Sequence, residues 1–149
     1  MGSIFENPSL VFKLQLFCCF YLMGLIWTIQ AVHYPAYHFI SIDKFLDYQN
    51  FHMKWITPIV APFMIVELLT AGLLVYLIPK SHPTFWMLNL VGVILIWVVT
   101  FFLSVPAHNA LMKGYEYSAA QNLILSNWLR TLLWTVRGLA LFVFWVLYS

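Results

Sequence analysis

Four stretches of the chain, 10–32, 55–78, 85–105 and 128–148, stay apolar for long enough to cross a bilayer, with polar segments between them. A helical span needs about 20 mostly apolar residues. Only helices and closed barrels satisfy their backbone groups in lipid, and these runs are too long and too little alternating for barrel strands. The pattern predicts an all-α fold: an integral membrane four-helix bundle, up-down-up-down, in a single transmembrane domain. An even number of spans puts both termini on one side, here called side A, with the turn Pro79-Lys80-Ser81-His82-Pro83. Side B holds the longer segments 33–54 and 107–126. Within the first of these, Tyr34-Pro35 breaks the helix, and Phe39, Ile42, Phe45 and Leu46 recur at helical spacing among Asp43, Lys44 and Asp47. That spacing predicts a short amphipathic interfacial helix between spans 1 and 2.

Composition agrees with the pattern. Of 149 residues, 63% are hydrophobic and 8% charged, against about a quarter charged in soluble domains. The lipid bilayer is therefore the expected partner. A net charge of +2 with scattered basic residues excludes a nucleic-acid partner, and the apolar exterior is compatible with a homo-oligomer. Lys44, Lys54, Lys113 and Arg130 fall on side B against Lys13 and Lys80 on side A, so side B is expected in the cytoplasm and both termini outside it. Cys18 and Cys19 are adjacent within the first span, so they point about 100° apart on a helix. They read as small apolar side chains.

The polar residues inside the spans carry the chemistry, because an ionisable group in lipid is costly unless it is partnered or used. Glu67 lies 12 residues past Trp55 and Arg137 lies 9 past Trp128, which places them roughly 18 and 13 Å below side B at the helical rise. An arginine side chain covers the difference, so the two are expected to pair. Asn127, Arg130, Trp134 and Arg137 recur at i, i+3, i+7 and i+10, within about 80° of one another, as one polar and aromatic stripe. Gln30 and His33 end the first span, His52 precedes the second, and Thr100, Ser104, His108 and Asn109 close the third. The result is a pocket expected to open on side B.

Two chemistries suit such a pocket. A histidine general base, His108 or His52, beside Arg130 and Arg137 would deprotonate an acidic C–H or phenolic O–H and stabilise the oxyanion. Glu67 belongs to the same catalytic set, and Asn109, Asn127 and Trp134 would bind a flat, lipophilic aromatic or quinone-type small molecule. Alternatively, His33, His52 and His108 would ligate a transition metal or haem for electron transfer. Glu67, roughly 22 Å along a continuous helix from His52, is too far away to share that ion. A non-enzymatic lipid or small-molecule binding protein, in which Glu67 and Arg137 only specify packing, is a third reading.

The ends of spans three and four resemble the anthrone oxygenase-like group of small four-span membrane proteins. Val105-Pro106, Asn109 and Leu111 are similar to its valine-proline, asparagine, leucine signature, and Asn127, Arg130 and Thr131 to its asparagine-x-x-arginine-threonine. The resemblance covers about the last third of the chain and the four-span plan. It implies oxidation of a reduced polycyclic phenol to a quinone by molecular oxygen with no required cofactor. His33-Tyr34-Pro35, His52, Glu67, His108, Trp134 and Arg137 stand outside the family pattern.

Overall fold

A computed structural model describes residues 7–78 and 81–148. Four helical rods of transmembrane length run 8–39, 42–77, 83–111 and 117–148, with no strand among the described residues. Helix α1 (Pro8–Thr28) continues through a π-helical turn (Ile29–His33) into a 3-10 turn (Pro35–Phe39). Helix α2 spans Ile42–Leu77. Helix α3 (Pro83–Val99) passes through a second π turn (Thr100–Ser104) into α4 (Val105–Leu111), and α5 spans Tyr117–Tyr148. Ser81, His82 and Pro83 of the predicted side A turn are seen, whereas Pro79 and Lys80 lie outside the described residues.

Local chemistry sets several boundaries. The Asn7 side chain accepts from the backbone N–H of Ser9 (3.1 Å) and Leu10 (3.2 Å), with Pro8 in the first helical position, a combination that satisfies the orphan donors of a helix start. Gly114, at φ 137°, ends the third rod in a backbone conformation open to glycine.

The rods pack in the ring order α1, α2, α3, α5, each touching its two neighbours. Spans one and three, and spans two and four, therefore face each other across the diagonals. Along α5, Ala120, Leu123, Asn127, Arg130, Trp134, Arg137 and Leu141 are buried at alternating steps of three and four, the seam that lets neighbouring helices interlock at a shallow angle. Polarity is inverted relative to a soluble bundle. Gln15, Gln49, Glu67, Asn89, Asn127, Arg130 and Arg137 are buried, while Phe102, Leu125, Val136 and Val146 are exposed. That distribution suits a lipid solvent.

Two expectations are corrected. The amphipathic segment from Ile42 is helical as its spacing predicts, but it is continuous with the second span. Pro58 and Pro62 lie inside an unbroken helix, a placement that neighbouring membrane helices make tolerable. The predicted side B loop 107–126 shrinks to 112–116, because the third span stays helical to Leu111 and α5 starts at Tyr117. The added turns contain Ala107, Ala110, Ala119, Ala120, Gln121 and Leu123, which favour helix wherever apolar run length ceases to decide.

Each π turn is closed by the backbone N–H of the residue before a proline. Tyr34 N–H bonds to Ile29 carbonyl at 2.9 Å, just ahead of Pro35, and Val105 N–H bonds back to Thr100, just ahead of Pro106. Proline lacks the N–H and its ring clashes with the carbonyl four residues back. Widening the preceding turn by one residue relieves that clash and advances the helix by about 100°. Both advances precede polar side chains directed inward: Tyr34 after the first, His108 after the second.

Candidate functional site

On the side B half, spans one, two and three contribute a stack of three imidazoles. His52, from α2, sits between His33 and His108, with ring centroids 4.4 and 5.2 Å away. His33 Nε2 and His52 Nδ1 share a hydrogen bond of 2.7 Å, and Tyr48 hydroxyl bonds His33 Nδ1 at 3.1 Å. His108 Nε2 bonds Tyr34 hydroxyl at 3.0 Å, and its Nδ1 meets Gln49 Nε2 at 3.2 Å. Phe45, Gln49 and His52 are buried on one face of α2, so the helical extension that replaces the expected interfacial helix carries this half of the cluster.

Below the histidines stands Arg130. It donates to Ser104 Oγ at 3.3 Å and lies over the Trp134 ring, 5.2 Å from its centroid. No carboxylate pairs with it among the described residues. A cavity of about 220 Å³ reaches it from the side. Tyr34, Ser104, His108 and Arg130 form its inner wall, and Ile56, Val60, Trp97 and Phe101 are among the apolar residues that complete it. Its outer lip carries the exposed Thr57, Phe101 and Val105, so it opens between α2 and α3 toward lipid. The mouth expected at side B is therefore turned to the flank.

Deeper still, Arg137 Nη1 donates to Glu67 Oε1 at 2.7 Å, forming the expected ion pair. Trp134 Nε1 donates to Glu67 Oε2 at 3.1 Å, and Arg137 Nη2 to Asn89 Oδ1 at 3.0 Å. Both carboxylate oxygens are therefore occupied, and the pair bridges the diagonal between α2 and α5. One turn further toward side A, Thr70 hydroxyl bonds Gln15.

The structure thus divides the residues singled out in the sequence. His108 and Arg130 line the lateral cavity, and His52 lies directly behind His108. Trp134 links Arg130 to Glu67. Glu67 and Arg137 satisfy each other below the cavity and do not line it. Asn127 is buried, donating to Gln30 Oε1 at 2.8 Å, and Gln30 Nε2 donates to Ile124 carbonyl at 3.3 Å; this polar clasp joins spans one and four. Asn109 is exposed, one residue round the helix from His108, and does not line the cavity.

The metal reading of His33, His52 and His108 is not matched by their geometry. Three ligand nitrogens must aim at one point. Here His33 Nε2 and His52 Nδ1 face each other and both His108 nitrogens have other partners. No group of three histidine, cysteine, aspartate or glutamate side chains suited to a metal ion occurs among the described residues. Axial ligation of haem fails on spacing, since a macrocycle would have to part rings already in contact. Cys18 and Cys19 are buried thiols in the core.

Sequence reasoning passes over Tyr34, Tyr48 and Gln49. Tyr34 is visible only as half of a helix-breaking Tyr-Pro pair. Gln49 precedes His52 by three residues and follows Phe45 by four, a helical spacing that signals a shared face.

No family model matches the chain, and neither does a curated protein or a solved structure.

Proposed function

We propose that the protein is a membrane oxidoreductase that takes a lipophilic phenolic or anthrone-type molecule from the bilayer and oxidises it with molecular oxygen, as its resemblance to anthrone oxygenases implies. The observation that carries this reading is the lateral cavity with Arg130 at its inner wall, a buried cation beside a histidine and a tyrosine and without a carboxylate partner among the described residues. A buried guanidinium of this kind stabilises an oxyanion far better than water does. The apolar remainder of the cavity suits one or two flat rings, with any further bulk left in lipid.

With the Gln49 amide turned so that its otherwise unpartnered Oε1 accepts from His108 Nδ1–H, His108 Nε2 is the base. It takes a proton from the substrate's acidic methylene, relayed by the Tyr34 hydroxyl bonded to it, and Arg130 holds the negative charge that moves onto the phenolic or carbonyl oxygen. The carbanion adds molecular oxygen, the peroxide regains a proton, and loss of the second C–H proton with cleavage of the O–O bond gives the ketone and water. The net change converts one methylene and one molecule of oxygen into one ketone and one molecule of water. The carbon loses four electrons and the oxygen molecule gains them.

Glu67 and Arg137 serve this reading by holding Trp134, and through it Arg130, in place. Lys44, Lys54 and Lys113, all on side B, support a cytoplasmic site, although Arg130 no longer counts toward that rule because it is buried in the bundle.

The test uses the purified protein in lipid nanodiscs with 1,8-dihydroxyanthrone, following oxygen uptake and quinone absorbance. The expected result is one molecule of oxygen consumed per quinone formed, reduced at least 100-fold by Arg130→Met and by His108→Phe, and blocked by Ala61→Phe, which fills the cavity. Wild-type turnover no faster than the uncatalysed rate, or an unaffected Arg130→Met variant, overturns the proposal.

A further inference from the structure

A base buried in this site has to dispose of its proton, and three of the directions around it are closed. The cavity mouth, lined by Ile56, Thr57, Phe101 and Val105, leads into hydrocarbon, where an ion is not solvated. Toward side A, both oxygens of Glu67 already accept hydrogen bonds from Trp134 and Arg137. Laterally, Gln49 is the other partner of His108, and an amide ends a relay because it does not readily gain or lose protons. The remaining direction is upward through the histidine stack.

We infer that His52, His33 and Tyr48 form a proton-exit relay from the His108–Tyr34 pair to the side B surface, separate from the lipid-side door used by the organic ligand. The inference rests on the acid–base role proposed for His108, and its geometry is fixed independently of any substrate. The His33–His52 contact is a ring-nitrogen to ring-nitrogen hydrogen bond of 2.7 Å, so one proton is shared between two imidazoles. Each imidazole accepts on one nitrogen and donates from the other, which lets it pass a proton along without moving. The inner end of the row is His52 Nε2, a buried nitrogen with no partner among the described residues, on a ring stacked against His108 and edge-on to Tyr34 at 6.3 Å. The outer end is the half-buried Tyr48, next to the exposed Asp47 and within about one turn of exposed Lys44. Tyr37, whose hydroxyl is also buried without a partner among the described residues, packs edge-on to both His33 and His52 and shields the shared proton.

One cycle is balanced in protons. With His52 protonated on Nδ1 and His33 on Nδ1, His52 Nε2 accepts a proton from the site. Its Nδ1 proton passes to His33 Nε2, and the His33 Nδ1 proton passes to the Tyr48 oxygen as the phenol releases its own proton to water. One proton enters, one leaves, and each ring is left as the opposite tautomer; the starting tautomers return by ring reorientation and proton exchange before the next passage. The step between His108 and His52 crosses a stacked contact with no hydrogen bond across it, so it is the slow one.

The experiment needs no substrate. With 15N-histidine-labelled protein in nanodiscs, a scalar coupling across His33 Nε2 and His52 Nδ1 is expected, and the His108 ring N–H exchange with heavy water is timed. His52→Phe, which keeps a ring in the stack, and His33→Gln are each expected to slow that exchange tenfold or more. Free imidazole should restore it in His52→Gly. His38→Phe, in the separate network with Tyr115 and Gln121, is expected to leave it unchanged. Backbone spectra report whether each variant stays folded, and His33→Gln gives the answer if His52→Phe does not. Exchange at the wild-type rate in folded His52→Phe or His33→Gln overturns the relay, whatever the outcome with the anthrone; slowed exchange without anthrone turnover would keep the relay and dismiss the oxidation.

Discussion

Glu67 and Arg137 meet at 2.7 Å across the diagonal of the bundle, and neither touches the cavity that the neighbouring Arg130 lines. Two arginines seven residues apart on one face of α5 thus have different tasks. Arg137 is neutralised and fastens spans two and four, whereas Arg130 has no counter-charge among the described residues.

Breaking the Glu67–Arg137 pair from one side leaves the other charge alone in a dry interior, at a cost of about 3–5 kcal/mol. Glu67→Gln and Arg137→Met are each expected to lower unfolding stability in bilayer or detergent by that order, and the double variant by clearly less than their sum. Additive losses in steric-trap unfolding measurements would contradict the pairing.

Gly92 is the recess that accommodates Arg137. A Cβ placed there would lie 2.5 Å from Arg137 Cδ, closer than real side chains approach. Gly92→Ala is expected to destabilise by about 1–3 kcal/mol, the usual cost of overpacking. In an Arg137→Met background it should be close to neutral, since the thioether bends aside. An equal penalty in both backgrounds would show that something other than the guanidinium is displaced.

Asn127, expected at a substrate, is found clasping Gln30. Asn127→Leu therefore removes a buried partner, with a stability loss of about 1–3 kcal/mol, and should leave anthrone affinity and turnover per folded molecule within twofold of wild type. A selective loss of affinity without loss of stability would return Asn127 to the site.

Under the proposed oxidation, Arg130→Lys should lose most of the turnover even though the charge is kept. The planar fork bonds Ser104 and lies over Trp134 while facing the cavity, which an ammonium on a flexible stem does not reproduce. Turnover within a few fold of wild type would mean that charge alone suffices.

How far the sequence foretells this arrangement depends on the kind of signal. Span number and the depth of Glu67 against Arg137 follow from run length and helical rise, so both are legible. Asn127 and Asn109 mislead because proximity in sequence to Arg130 and His108 does not say which way a side chain turns. At Asn109 a single step round the helix puts the amide outside. The interfacial helix and the long side B loop fail for a different reason: hydropathy marks where the apolar run ends, and these helices continue for several turns past it. The direction of Tyr34 and His108 is hidden because each follows a π turn, and a phase advance of about 100° is invisible to any count made at 3.6 residues per turn.

Those two turns have a consequence for descent. A π turn is a helix with one residue too many, which is what a single-codon insertion leaves behind in a gene. A relative that keeps the four spans but has lost the buried histidine and tyrosine would be free to discard the extra residue before each proline. Aligned sequences should then split into two length classes at 29–33 and 100–104, and the shorter class would mark, by codon count alone, the members that no longer turn these two side chains inward.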